Sequence, residues 1–238
     1  KFFNVTSRIG NLNPEVAVIV CTARALKRHG GVDPKSVTDV NVKAVEAGLS
    51  NLDAHIDNVQ QHGVVPVVAV NRFPSDTDDE VALIVSHCED RKIRVAEVDP
   101  FSAGGAGCLA LGDAINSELA IGNGKLQYLY KTEDSVTEKI EIVARKVYGA
   151  ERIVYLREAQ TTLRRVRRLG MENLPICIAK TQYSLSDDLN LVGRPEGHEF
   201  TVREIRPSAG AGFLVVISGK IVTMPGLPRK PAATQFSL

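Results

Sequence analysis

The chain has 238 residues, 44% of them apolar and 24% charged, which excludes wholesale disorder and leaves room for one large core or two smaller ones. Its 29 basic and 28 acidic side chains nearly cancel, so no global field draws it to nucleic acid. No apolar stretch reaches the roughly 20 residues of a membrane span, and Cys21, Cys88, Cys108 and Cys177 are too scattered for a zinc knuckle or a disulfide framework.

The opening Lys1-Phe2-Phe3 has neither an initiator Met nor a signal-peptide layout, so the expectation is a piece of a longer cytoplasmic polypeptide with reduced thiols. Ala17 to Cys21 is an unbroken apolar run, as in a parallel strand buried on both faces. Val42, Val45, Leu49, Leu52, Ile56 and Val59 recur three or four apart, which predicts a helix from Val42 to Gln60 with one apolar face. Val64 to Val70 repeats the strand signature, with regular pairing expected only after Pro66. Thr77-Asp78-Asp79-Glu80 reads as a capping box whose acidic residues suit the positive end of a helix running to about Asp90. Ile93 to Val98 is a third strand.

Residues 110–147 turn helical, broken by Gly122-Asn123-Gly124 and resuming as an amphipathic stretch from Ser135 to Val147. A strand at Arg152 to Leu156 and a helix from Arg157 to Leu169, stopped by Gly170, come next. The run Arg164, Arg165, Arg167 and Arg168 on that helix reads as a solvated face. Strands follow at Leu174 to Ala179, Phe200 to Arg206 and Phe213 to Ser218, the second alternating like an antiparallel or edge strand. The pattern predicts an α/β protein. Residues 1–147 form a doubly wound, mostly parallel sheet flanked by helices, and residues 148–238 a second, smaller α/β domain.

Ligands of open α/β sheets gather beyond the carboxyl ends of the strands, so the turns there are the places to search. In Asn71-Arg72-Phe73-Pro74-Ser75-Asp76-Thr77 the stiff Phe-Pro step can hold a ring in a cleft, or Phe73 can simply pack under the next helix. In Asp99-Pro100-Phe101-Ser102-Ala103-Gly104-Gly105-Ala106-Gly107 the glycines permit close backbone approach and Phe101 can stack on a planar heterocycle. The loose match Gly105-x-Gly107-x-x-Ala110 to a dinucleotide fingerprint lacks the acidic residue further on. Lys180-Thr181-Gln182-Tyr183-Ser184 offers donors to an anionic or amide-rich ligand, or a polar strand end satisfied by backbone. Neither Gly124-Lys125-Leu126 nor Gly219-Lys220-Ile221 completes a GxxxxGK[ST] loop, and the five histidines sit in no nucleophilic or metal motif.

Several stretches, in order, resemble the formate–tetrahydrofolate ligase family. They are Lys1-Phe2-Phe3 with Val18 to Gly31, Asn51-Leu52-x-x-His55-Ile56-x-Asn58, Asn71 to Thr77, Gly104 to Gly107, Leu174 to Ser184, and Met224-Pro225-Gly226-Leu227-Pro228. The resemblance spans nearly the whole chain and implies the C-terminal half of such an enzyme. It implies ATP-dependent phosphorylation of formate, then attack of N10 of tetrahydrofolate on formyl phosphate. By the same resemblance Phe73, Pro74 and Phe101 form the folate wall, with phenylalanine at 101 where the family commonly has tryptophan, and Asn71, Arg72 and Pro74 lie next to the nucleotide. Gly104, Gly105 and Lys180 are loop candidates without an assigned role, and no catalytic residue or metal ligand is singled out. The implied cofactors are ATP with Mg2+ and a monovalent cation. The implied partners are the P-loop-bearing N-terminal half and further copies, as a homotetramer, with no nucleic acid or membrane. The competing expectations are a non-catalytic binding or scaffolding module, marked by no GxxxxGK[ST] loop upstream, and a dinucleotide-binding domain, marked by NADH binding.

Overall fold

The computed structural model describes residues 1–219 and Thr234, so the Met224-Pro225-Gly226-Leu227-Pro228 stretch lies outside the described residues. After a wide helical segment at Phe2–Ser7, the first unit runs β1 (Val16–Cys21), α1 (Ala23–His29), α2 (Val42–Gln60), β2 (Val65–Asn71), α3 (Asp78–Asp90) and β3 (Arg94–Val98). It ends in the short α4 (Pro100–Ala103), a glycine-rich turn and α5 (Leu109–Ile121). The three strands are parallel in the order β1-β2-β3. Val45, Leu49, Leu52 and Ile56 of α2 join Val81, Ile84 and Cys88 of α3 in one core against the sheet, while Ala114 of α5 packs on Val67 and Ala96. Helices therefore cover both faces, as expected of a doubly wound layer, although the strand order runs consecutively without a reversal.

Pro66 pairs with Ala17 inside the β1–β2 ladder, earlier than expected. The N–H of Val65 donates toward β1, to the Glu15 carbonyl at 2.9 Å, so the next residue presents its nitrogen to the β3 side. Pairing on that side starts only at Val67, so the missing proline N–H leaves no gap in either ladder. The capping box forms as read: Thr77 accepts from the Glu80 N–H at 3.3 Å and Glu80 accepts from the Thr77 N–H at 3.1 Å. Glu80 does more than cap. Its carboxylate is fully buried 3.0 Å from the equally buried Lys27 ammonium of α1 and also accepts the Asn41 N–H at the start of α2.

The second sheet has the order β4-β6-β7-β5, built from β4 (Ala150–Tyr155), β5 (Ile176–Ala179), β6 (His198–Ser208) and β7 (Phe213–Ser218). Among the described strands only β6 and β7 run antiparallel. β6 is thus antiparallel on one side, as its alternation predicted, but it lies inside the sheet with β4 on its other side, not at the edge. Phe200, Val202 and Ile205 of β6 pack with Ile140 and Ala144 of α6 (Val136–Tyr148), and with Ala159 and Val166 of α7 (Arg157–Arg168). Tyr130 and α6 belong to this second core, ahead of the boundary expected near residue 147. The arginines of α7 face solvent.

A strip of polar contacts joins the units. Asn51 donates to the Gly193 carbonyl at 2.9 Å, the Gly193 N–H donates to His29 Nδ1 at 3.2 Å, and Asn58 donates to the Val147 carbonyl at 3.1 Å. Asp57 takes Arg91, the cap that follows α3, and Arg194 of the segment before β6, each at 2.7 Å. Among the described residues no helix is long and apolar enough to cross a membrane. Cys21 and Cys88 are buried, which pushes their thiols up to about 12 and about 11 and leaves them as apolar packing.

Candidate functional site

At the carboxyl ends of β2 and β3 the chain turns away from the sheet and leaves a cleft of ≈ 560 Å³ lined by Asn71, Arg72, Phe73, Pro74, Asp99, Pro100, Phe101 and Ser102. Sequence-chosen Asn71, Arg72, Phe73, Pro74 and Phe101 are thereby brought together, from two strand ends about thirty positions apart in a parallel sheet. Phe101 is 94% exposed, so its ring contributes nothing to the core and stands free for contact. Phe73 is half-buried.

Each ring is held from behind by backbone geometry. The Phe73 N–H donates to Asp76 Oδ2 at 2.9 Å, and the Asp76 N–H returns to the Phe73 carbonyl at 2.9 Å, closing the turn around Pro74. Asp99 caps α4 by accepting the Ser102 N–H at 2.9 Å, with Pro100 in the first turn, which fixes where Phe101 leaves the chain. The glycine turn behind it splits by position. Gly104 has φ +56°, and a Cβ on Gly107 would fall 2.2 Å from the Asp99 carbonyl oxygen, so both are required by the loop's own path. Gly105 meets nothing within 4 Å. Neither Gly104 nor Gly105 lines the cleft.

Arg24, three positions past the end of β1 in the first turn of α1, was not among the sequence candidates. Its guanidinium carbon lies 4.0 Å from the Phe73 ring centroid, and Nη2 donates to Ser75 Oγ at 3.0 Å. Its buried Nε has no hydrogen-bond partner among the described residues. Arg24 does not line the cleft, so it occupies the side of Phe73 turned away from it. The signal that could have found it is its place at a strand's carboxyl end. Stacking on a ring some fifty positions away leaves no local pattern.

Arg72 reaches Asp78 and, at 3.5 Å, Glu97, so its charge is already matched. Arg72 and Asp99 are the titratable residues of the cleft, and Asp99 is engaged as a cap. With two aromatic side chains and few titratable groups in its lining, the cleft is better suited to contacting a flat ring than to moving protons. Lys180 lies elsewhere, in a cavity of ≈ 650 Å³ between the two units. Among the described residues no group of three or more His, Cys, Asp or Glu side chains gathers to hold a metal ion.

The stiff Phe-Pro turn, the exposed ring on the neighbouring strand end and the parallel sheet beneath them belong to a chain matched along residues 1–238 by the family model described as "Formate--tetrahydrofolate ligase". The chain is a member of the formate–tetrahydrofolate ligase family.

Proposed function

We propose that this chain supplies the folate wall of an ATP-dependent formate–tetrahydrofolate ligase, with the pterin between Phe73 and Phe101. The observation that carries this reading is the convergence of Phe73, Pro74 and the almost fully exposed Phe101 on one cleft at the strand ends. In the proposed reaction ATP phosphorylates formate, and N10 of tetrahydrofolate attacks the carbonyl carbon of formyl phosphate. The C–O bond to phosphate breaks, giving 10-formyltetrahydrofolate, ADP and phosphate. The cleft's part is to place N10, which converts an encounter into a near-intramolecular step. Asn71, Arg72 and Pro74, on the same turn, lie toward the nucleotide.

The triphosphate grip is assigned to a separate P-loop-bearing part, because the sequence completes no GxxxxGK[ST] loop. The same part would hold Mg2+ through the nucleotide phosphates that it grips. A surface suited to that part is present. Among the described strands β1 is an edge, with Val20 exposed at 67%, and Leu109 and Ile121 of α5 are exposed at 68% and 53%. The proposed setting is a cytoplasmic homotetramer using a monovalent cation.

The test is steady-state kinetics of the assembled ligase. Phe73→Ala should raise KM for tetrahydrofolate about 5- to 150-fold, the loss of one aromatic stack of about 1–3 kcal/mol, and leave KM for ATP and formate unchanged. An unchanged folate KM removes Phe73 from the site.

A further inference from the structure

Two stretches that the folate reading leaves without a role, Asn51 to Asn58 on α2 and Lys180 to Ser184 after β5, come from different units yet line the same cavity of ≈ 650 Å³. It shares no lining residue with the Phe73–Phe101 cleft, and its size falls within the usual range for small-molecule sites. Its electrostatics are one-sided. Lys1, His29, His55, His62 and Lys180 line it, with the Tyr148 phenol and no Asp or Glu. Asp187 is the acidic group that acts on Lys180 from outside the lining, and its carboxylate is engaged by the Thr201 N–H at 3.1 Å.

The basic groups divide by what they already do. His62 is tied at both nitrogens, to the Asn58 carbonyl at 2.7 Å and the Asn4 amide at 3.0 Å, with Phe3 packed on its ring. His29 takes the Gly193 N–H on Nδ1. Both act as neutral structural rings. His55 and the Gln182 side chain make no hydrogen bond within the described residues. Lys180 donates to the carbonyls of Thr181, at 3.0 Å, and Ser184, which leaves one of its three N–H bonds, and its ammonium lies 5.0 Å from the Tyr148 ring centroid. The oxygens in direct contact with the ammonium are neutral carbonyls, and Asp187 acts on it from beyond them. Burial pulls Lys180 down to about 8, and burial first, then the Lys180 charge, lowers His55.

We propose that this cavity is a second binding site, for a small carboxylate or phosphate anion held between His55 and Lys180 with the Gln182 amide as a further donor. An anion supplies the negative charge that the lining lacks and gives the solvent-facing His55 and Gln182 donors and the remaining Lys180 N–H a common acceptor. The site joins α2 to the segment after β5, so an occupant bridges the two units across their polar interface.

The test is calorimetric titration of this chain with inorganic phosphate and, in a separate arm, with succinate. The expected result is saturable one-to-one binding of at least one of them, and the preferred anion identifies the source of the charge. Affinity should fall as pH rises through about 8, where unliganded Lys180 gives up its proton. His55→Gln, which disturbs no hydrogen bond, should weaken binding about tenfold or more, and Lys180→Met likewise. Phe73→Ala should leave it unchanged. No saturable binding of either anion, or equal affinity in wild type and folded His55→Gln, overturns the proposal.

Discussion

Phe73 is sandwiched by design on one side only. With the Arg24 guanidinium on its rear face, the ring is both fixed and polarised, and the face toward the cleft is what remains for a ligand. Arg24→Met should therefore weaken tetrahydrofolate binding by about 0.5–2 kcal/mol without changing thermal stability to match, and Arg24→Lys should restore little, because an ammonium cannot stack as a plane. Equilibrium binding beside a melting curve separates the two effects; equal binding in wild type and Arg24→Met would assign Arg24 to packing alone. Phe101→Trp should tighten binding by adding ring area and an N–H donor to an exposed position that already tolerates bulk. The Phe-Pro step and the aromatic in a glycine-rich turn mark Phe73, Pro74 and Phe101 as strand-end residues, but those local signals leave Phe73 open to packing under the next helix, and only the family resemblance points the three to folate. Arg24 carries no such signal, since its partner is set by which strands lie side by side.

At the scale of elements, the capping box was legible as a helix start, but the sequence could not say that Glu80 faces inward. Its carboxylate ties three elements: it caps α3, receives the first N–H of the α2 entry and pairs with Lys27 of α1. Burial works to raise the Glu80 pKa, and the Asn41 and Thr77 amides with the Lys27 ammonium outweigh it and hold it below the ordinary value of 4.5. The sign follows. A carboxylate depressed in the folded state contributes fully above about 4.5, and the contribution is lost as pH falls through the lower folded value. Glu80→Ala leaves Lys27 buried and unpaired and should cost about 3–5 kcal/mol in urea unfolding at neutral pH. A loss under 1 kcal/mol would mean that Lys27 finds another outlet. Elements were otherwise well marked: α2 matches its apolar periodicity end to end, and β6, read as antiparallel or edge, is antiparallel to β7 and interior, because alternation reports one solvated face and not the number of neighbours.

Over the whole molecule, two cores meet through side chains that hydrogen-bond rather than interdigitate. Asp57 is the crossing point, and although burial tends to raise it, Arg91 and Arg194 hold its carboxylate below the usual range. Asp57→Ala should leave each core intact but loosen the junction, seen as faster amide exchange around Gly193 and Val147 than in β2 or β6. Uniform exchange across both units would contradict a polar hinge. The α6 helix, which precedes the boundary expected near residue 147, packs in the second core through Val136, Ile140 and Ala144. Helical periodicity shows which face is apolar but not which sheet receives it.

The central claim is that the cleft at the ends of β2 and β3 holds the folate. Its most direct test is equilibrium titration of tetrahydrofolate against this chain and its Phe73→Ala/Phe101→Ala double variant, with the fold of each checked by circular dichroism. Saturable binding to the wild type that is lost in the folded double variant is the predicted result; equal affinity in the two would contradict the claim.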